Sequence, residues 1–189
     1  FLVPFLKKIK NSPPKADQPL AEKIDPEILK GNFPVEKQKQ FNEKVAKKIG
    51  FDFEAGRLDT SVHPFSTGFH PQDVRITTRF RKDDLFSSFF STIHETGHAL
   101  YEQGLVTKNL GPPPGETISH GIHKSQSRMW ENMVSRSKNF WKYFFPKLQN
   151  QFPKPFAKTR FDDFYQAINF VQPSLIRTEA DEVTYSLHI

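Results

Sequence analysis

The chain has 189 residues, 20 of them Phe and none Cys, with a formal net charge of +6. That length is enough for one ordinary domain with a core of its own. The lack of cysteine excludes disulfides and thiolate metal sites and fits a reducing compartment, with the cytoplasm as the default. Lys and Arg are scattered rather than gathered into a stripe interleaved with aromatics, so no nucleic-acid partner is expected. No run approaches the ~18 apolar residues of a membrane span, so no membrane partner is expected either.

The chain opens on Phe1-Leu2-Val3 and closes within what reads as an apolar helix face, so it is expected to be part of a longer protein. Residues 1–33 form a Pro- and Lys-rich lead-in, broken at Pro13-Pro14, and residues 34–189 carry the motifs. From 35 to 49 the spacing predicts a helix: Phe41, Val45 and Ile49 share a face, and Gly50 suits the stop. Residues 57–80 alternate apolar and polar positions, and the run 73–80 (Asp-Val-Arg-Ile-Thr-Thr-Arg-Phe) reads as a second strand. Gly68 and Pro71 lie between the two, which predicts a small antiparallel pair. Asp83-Asp84 then offers a helix start. Leu85, Phe86, Phe89, Phe90, Ile93, Gly97 and Leu100 give its apolar stripe, and Gly104 ends it. After the loop at 111–115, another helix is expected from 117 toward 145, interrupted at Pro146. A connector with Pro153 and Pro155 leads to helical stretches at 161–170 and from Pro173 to the end. The class is mainly helical with a small sheet.

His94-Glu95-Thr96-Gly97-His98 falls in the middle of the second predicted helix. Histidines at i and i+4 share one face, so both imidazoles can reach one Zn²⁺ at ~2.0–2.1 Å. The adjacent Glu95 can take a proton from a metal-bound water and return it to a leaving amine. This is the signature of zinc peptidases. The alternative is an ordinary helix with two surface histidines, against which the flanking apolar stripe speaks. Two histidines leave zinc one protein ligand short.

The segment Gly121-Ile122-His123-Lys124-Ser125-Gln126-Ser127-Arg128-Met129-Trp130-Glu131-Asn132 resembles the carboxypeptidase Taq family, whose pattern there is His-Glu-Ser-Gln or His-Glu-Gly-Gln. Four further motifs of that family stand in order: His63-Pro64-Phe65; Asp73-Val74-Arg75-Ile76-Thr77; His94 through His98; and Ile176-Arg177-Thr178-Glu179-Ala180-Asp181-Glu182. The resemblance implies a helical, zincin-like metallopeptidase core with a small antiparallel β-sheet, present here as a partial catalytic domain. It implies Zn²⁺, or Co²⁺, held by His94 and His98, with Glu95 as general base. It also implies peptide substrates with a free C-terminus, and a homodimer for the whole protein. The family's third ligand is the Glu of His-Glu-Ser-Gln, and Lys124 stands at that position.

An ammonium has no lone pair and repels a dication, so two functions stay open. One is a metal-dependent carboxypeptidase that removes C-terminal amino acids; the other is a non-hydrolytic pseudopeptidase or peptide-binding relative. Glu131 stands about 10 Å further along the predicted helix, too far to replace the ligand directly, and Glu116 would have to fold back from the loop. Arg75 and Arg177 are candidates to hold a substrate carboxylate through a planar fork. The alternative for Arg75 is an ion pair with Asp73, and for Arg177 one with Glu179, Asp181 or Glu182. His63 would donate to a substrate oxygen or else stabilise the turn before Pro64. His123 would touch the metal-bound groups from behind or else simply pack within its helix. The strand around 74–80 would align an extended peptide by main-chain pairing.

Overall fold

The computed structural model describes residues 25–170. Helix α1, Val35–Ile49, follows Pro34, carries Glu36 in its first turn and Lys47 and Lys48 in its last, and ends on Gly50 at φ 117°. Those charges match the helix dipole, and the left-handed stop requires glycine. Phe41 and Val45 are buried as the spacing predicts. Gln38 and Asn42 are buried too, which the apolar pattern did not foretell. Gln38 Nε2 donates to the carbonyls of Phe33 and Arg81, both at 2.7 Å, and its Oε1 accepts from Ser88 Oγ at 2.8 Å. Asn42 Nδ2 donates to the Ser88 carbonyl at 3.2 Å and to Thr92 Oγ1 at 3.0 Å. These bonds satisfy the Gln38 amide and the Asn42 Nδ2 group, as burial demands, while Asn42 Oδ1 is buried without a hydrogen-bond partner.

Three short strands follow: β1 Gly56–Thr60, β2 Ser66–His70 and β3 Asp73–Thr78. Their order is β1-β3-β2. The expected antiparallel pair is β2 with β3, but β1 adds to β3 in parallel register from Gly56 against Val74 to Thr60 against Thr78, so the sheet is mixed. The sequence pattern gives strands but not their partners. β3 is therefore the central strand, with both edges occupied, and the expected peptide pairing along residues 74–80 is ruled out. Leu58, Val74 and Ile76 face Ala46, Phe51 and Ala99.

Helix α2, Leu85–Gln103, starts on Asp84, whose side chain accepts from Ser87 N at 3.0 Å. Its Leu85, Phe86, Phe89 and Ile93 enter the main core. Helix α3, His120–Arg128, starts on Ser119, which accepts from Ile122 N. It runs into a π-turn, Met129–Val134. The single helix expected from 117 to 145 is thus broken. Ser135 Oγ donates back to the Glu131 carbonyl at 2.6 Å, and Ser137 caps a new helix, α4, Lys138–Gln151. Pro146 lies inside α4 without interrupting it. It is on the exposed face, where water can reach the Lys142 carbonyl it leaves unbonded, while Phe144, Phe145 and Leu148 hold the helix to the core. Helices α5, Pro153–Phe156, and α6, Phe161–Ile168, complete the described residues. The stretch expected from Pro173 lies outside them.

The core is an aromatic stack centred on Trp141, which meets Phe86, Phe89, Phe140 and Phe164 at ring separations of 4.8–6.2 Å. Phe33, at the end of the lead-in, is fully buried against Phe152 and Phe156. Trp141→Ala is expected to lower the unfolding free energy by ~3–5 kcal/mol, read from urea denaturation; a loss below ~1 kcal/mol would show that the ring is not the centre of the core.

Candidate metal centre

Helix α2 presents His94 and His98 one turn apart, with ring centroids separated by 5.1 Å. Opposite them lies α3, brought in unusually close by Gly97. A Cβ at that position would stand 2.7 Å from Ser127 Cα and 2.9 Å from the Gln126 carbonyl oxygen, both backbone atoms. Only glycine allows this approach, and the approach carries His123 and Lys124 to the two histidines.

The hydrogen bonds orient the rings. His94 Nδ1 lies 2.6 Å from Glu131 Oε2. Burial works against the Glu131 carboxylate, but the hydrogen bond and charge of His94, with Arg128 and Arg136, hold it below the usual carboxylate range. It therefore accepts, and His94 Nδ1–H donates, which turns Nε2 toward Lys124. His123 Nε2 lies 2.7 Å from Glu102 Oε1, and His123 Nδ1 lies 2.6 Å from His98 Nδ1. His98 and His123 thus share one proton between their Nδ1 atoms, with Glu102 behind His123; where His98 is the donor, its Nε2 carries the lone pair. Carboxylates that back imidazoles in this way orient metal ligands and raise their basicity.

Burial, with the charges of His94, His123 and Lys124, pushes the His98 imidazole down to about 3. The unfolded ring takes up its proton near ~6.5, so between those values the unfolded state binds more protons. Stability of the metal-free chain is expected to fall as pH drops from ~6.5 toward 3. A His98→Asn variant should flatten that fall in urea midpoints, and an unchanged slope would contradict the neutral ring. Burial also pushes Glu95 above the usual carboxylate range, against the pull of His94 and Lys124. A carboxyl group so placed is suited to taking and returning a proton.

Lys124 Nζ lies 3.4 Å from His94 Nε2. The site thus brings two imidazoles and an ammonium together. Glu131 and Glu102 are engaged behind His94 and His123. Among the described residues, no group of three or more His, Asp or Glu could hold a metal ion. A unit charge about 4 Å from a dication is worth roughly 8 kcal/mol at an effective dielectric of 20, here with the repulsive sign. The imidazole pair fits a divalent ion; the donor set with Lys124 does not, and no reaction step is routed through one.

The other expected site residues are dispersed. Arg75, on β3, is exposed and grips Asp73 through two bonds of 2.9 Å, with Phe69 beneath its guanidinium at 5.2 Å. That is the ion pair, the alternative to a carboxylate clamp. His63 is exposed in the loop before β2, and its carbonyl accepts from Ser61 Oγ at 2.6 Å. Arg177 lies outside the described residues. Glu116 instead lines a cavity of about 320 Å³ with Gly68, Phe69, Glu102 and Leu110. Sequence reasoning missed the partners Glu102 and Glu131. Glu102 was findable, being one turn beyond His98 on the same face. Glu131 was set aside as a ligand and expected to have another task in its Trp-Glu-Asn stretch, but that task, backing His94, was not named, and no sequence signal announces the π-turn that carries it.

The family described as Carboxypeptidase Taq (M32) metallopeptidase matches residues 1–189. The chain is 50% identical over 165 residues to Thermostable carboxypeptidase 1 of Thermus thermophilus, covering 87% of this chain and 32% of that protein. It is 42% identical over 188 residues to Carboxypeptidase 1 of Bacillus subtilis, covering 100% and 36%. The solved M32 carboxypeptidase of Deinococcus radiodurans R1 superposes with a TM-score of 0.83 at 44% identity, over 99% of this chain and 36% of that one. The chain spans about a third of the length of these relatives. With the family matched over its whole length and its fold shared with a solved member, the chain belongs to the carboxypeptidase Taq (M32) metallopeptidase family.

Proposed function

We propose that the whole protein holds the free C-terminus of a peptide beside the His94–His98 pair and Glu95. This is the arrangement of a metal-dependent carboxypeptidase that removes C-terminal amino acids, and Lys124 keeps that reaction off in the sequence as it stands. The carrying observation is the close contact at Gly97, which sets residue 124 against His94 Nε2 with both imidazoles fixed for donation. The names of the relatives support the carboxypeptidase half of the reading. Lys124 supports the other half, a peptide-binding relative without hydrolysis. Zn²⁺ or Co²⁺ would be the metal, Glu95 the group that handles the proton, and His123, through His98, a positioning residue. Arg177 is retained as the candidate for the terminal carboxylate. Arg75 and His63 are secondary candidates, since Arg75 is already paired. The whole protein is read as a homodimer in a reducing, cytoplasmic setting. No helix among the described residues is long and apolar enough to cross a membrane.

The test compares binding of one labelled peptide to the whole protein with its C-terminus free or amidated. The free form is expected to bind at least ~10-fold tighter, as a charge-assisted carboxylate contact requires. Equal affinity would rule out a C-terminus site.

A further inference from the structure

We propose that Lys124 is the resident cation of this site, its ammonium standing in for a divalent ion beside His94, His98 and Glu95 and holding the chain in a stable metal-free state. The inference rests on the reading of His94 and His98 as a paired donor site. It concerns what fills that site in this sequence.

Two imidazoles set side by side, with a buried carboxyl group next to them, make a pocket suited to a cation. Glu131 and Glu102 add negative charge behind the rings. Arg128 balances Glu131 from behind, but left empty the pocket would still present Glu95 and the two ring nitrogens with no cation facing them. Lys124 reaches it from α3 and donates toward the His94 lone pair at 3.4 Å. One side chain thus removes the carboxylate that the family pattern would bring to position 124 and supplies positive charge in its place. An external dication must then displace an internal monocation that the chain holds at high effective concentration.

The experiment uses the full chain and its Lys124→Met, Lys124→Arg and Lys124→Glu variants, each stripped with chelator and checked for native circular dichroism. Zinc per chain and melting temperature, with and without zinc, are the readouts. The Lys124 and Lys124→Arg forms are expected to stay empty, with a melting temperature indifferent to zinc. Lys124→Met, which removes the charge and adds no ligand, should melt lower than the Lys124 form when stripped. It should also bind zinc at least ~100-fold more tightly and recover its melting temperature when loaded. Lys124→Glu should fill to near one ion per chain. If the Lys124 form takes up zinc as well as Lys124→Met does, or if the stripped Met variant melts no lower, the ammonium is not the resident cation, while the donor pair stands. If none of the four takes up zinc, the donor pair itself is misread and the inference falls with it.

Discussion

Whole protein carrying Lys124→Glu is expected to release C-terminal amino acids from peptides in the presence of Zn²⁺ or Co²⁺ at a rate at least ~1000-fold above the Lys124 form. A charge about 4 Å from a dication is worth roughly 8 kcal/mol at an effective dielectric of 20. Lysine takes that amount away, and glutamate adds it. Desolvation of the new carboxylate offsets part of the gain, but a net ~4 kcal/mol already amounts to about a thousandfold in metal affinity. The rest of the site needs no rebuilding. His94 and His98 are oriented by Glu131 and His123, and Glu95 is already buried at their side. Free amino acid released from an N-blocked dipeptide, measured against time, is the check. If the variant binds metal and still releases nothing, Lys124 is not what separates this chain from a working carboxypeptidase. A double variant, Lys124→Glu with Glu95→Gln, should bind metal and stay inactive, which separates the donor pair from the proton-handling group.

The site was legible in the sequence to the extent that it depends on helix periodicity. His94, Glu95 and His98 lie where the i, i+4 spacing puts them, and Lys124 meets His94 as the order of the motifs implied. What was not legible depends on contacts between elements. β1 lies parallel to β3 because of how the chain turns around β2, and the alternation of residues 57–80 is the same for either direction. The break after α3 was hidden because Ser135 and Ser137 read as ordinary polar helix positions; only the bond from Ser135 to the Glu131 carbonyl and the cap at Ser137 reveal it. Gln38 and Asn42 break the apolar pattern of α1 and are nonetheless interior, since α2 offers them partners.

Gly97→Ala is expected to destabilise the chain by ~1–3 kcal/mol, the range for an overpacked contact, although Gly to Ala within a helix ordinarily gains up to ~1 kcal/mol. The new Cβ would face Ser127 Cα, the Gln126 carbonyl oxygen and Ser127 N at 2.7, 2.9 and 3.1 Å. All three are backbone atoms, which cannot swing aside as a side chain can, so α3 as a whole must retreat. The bond of 2.6 Å between His98 and His123 then lengthens, and residue 124 withdraws from His94. Two losses should therefore appear together: a lower urea midpoint, and weaker zinc uptake when Gly97→Ala is placed on Lys124→Glu. Gly121→Ala is the control, because its Cβ would meet only Ser119 Oγ, at 3.7 Å; it should be neutral or mildly stabilising. Equal stability for the two alanine variants would refute the close-packed contact.

The amides of Gln38 and Asn42 also determine which of the two site helices can move. For α2 to slide by one turn, ~5.4 Å, Gln38 and Asn42 must release Ser88 and Thr92 in a place that water does not reach, at ~1–3 kcal/mol for each polar group left bare. Intermediate positions satisfy none of the partners. The ladder therefore acts as a detent, indexing α2 against α1 at a single setting, much as one buried Asn indexes a coiled coil. α3 has no such catch: it is held by a glycine contact and imidazole bonds, and it runs out into a π-turn. Any opening of the site to admit or expel a cation is then a movement of α3 over a stationary α2, and amide hydrogen exchange should be slow across residues 88–99 while it quickens across 120–128.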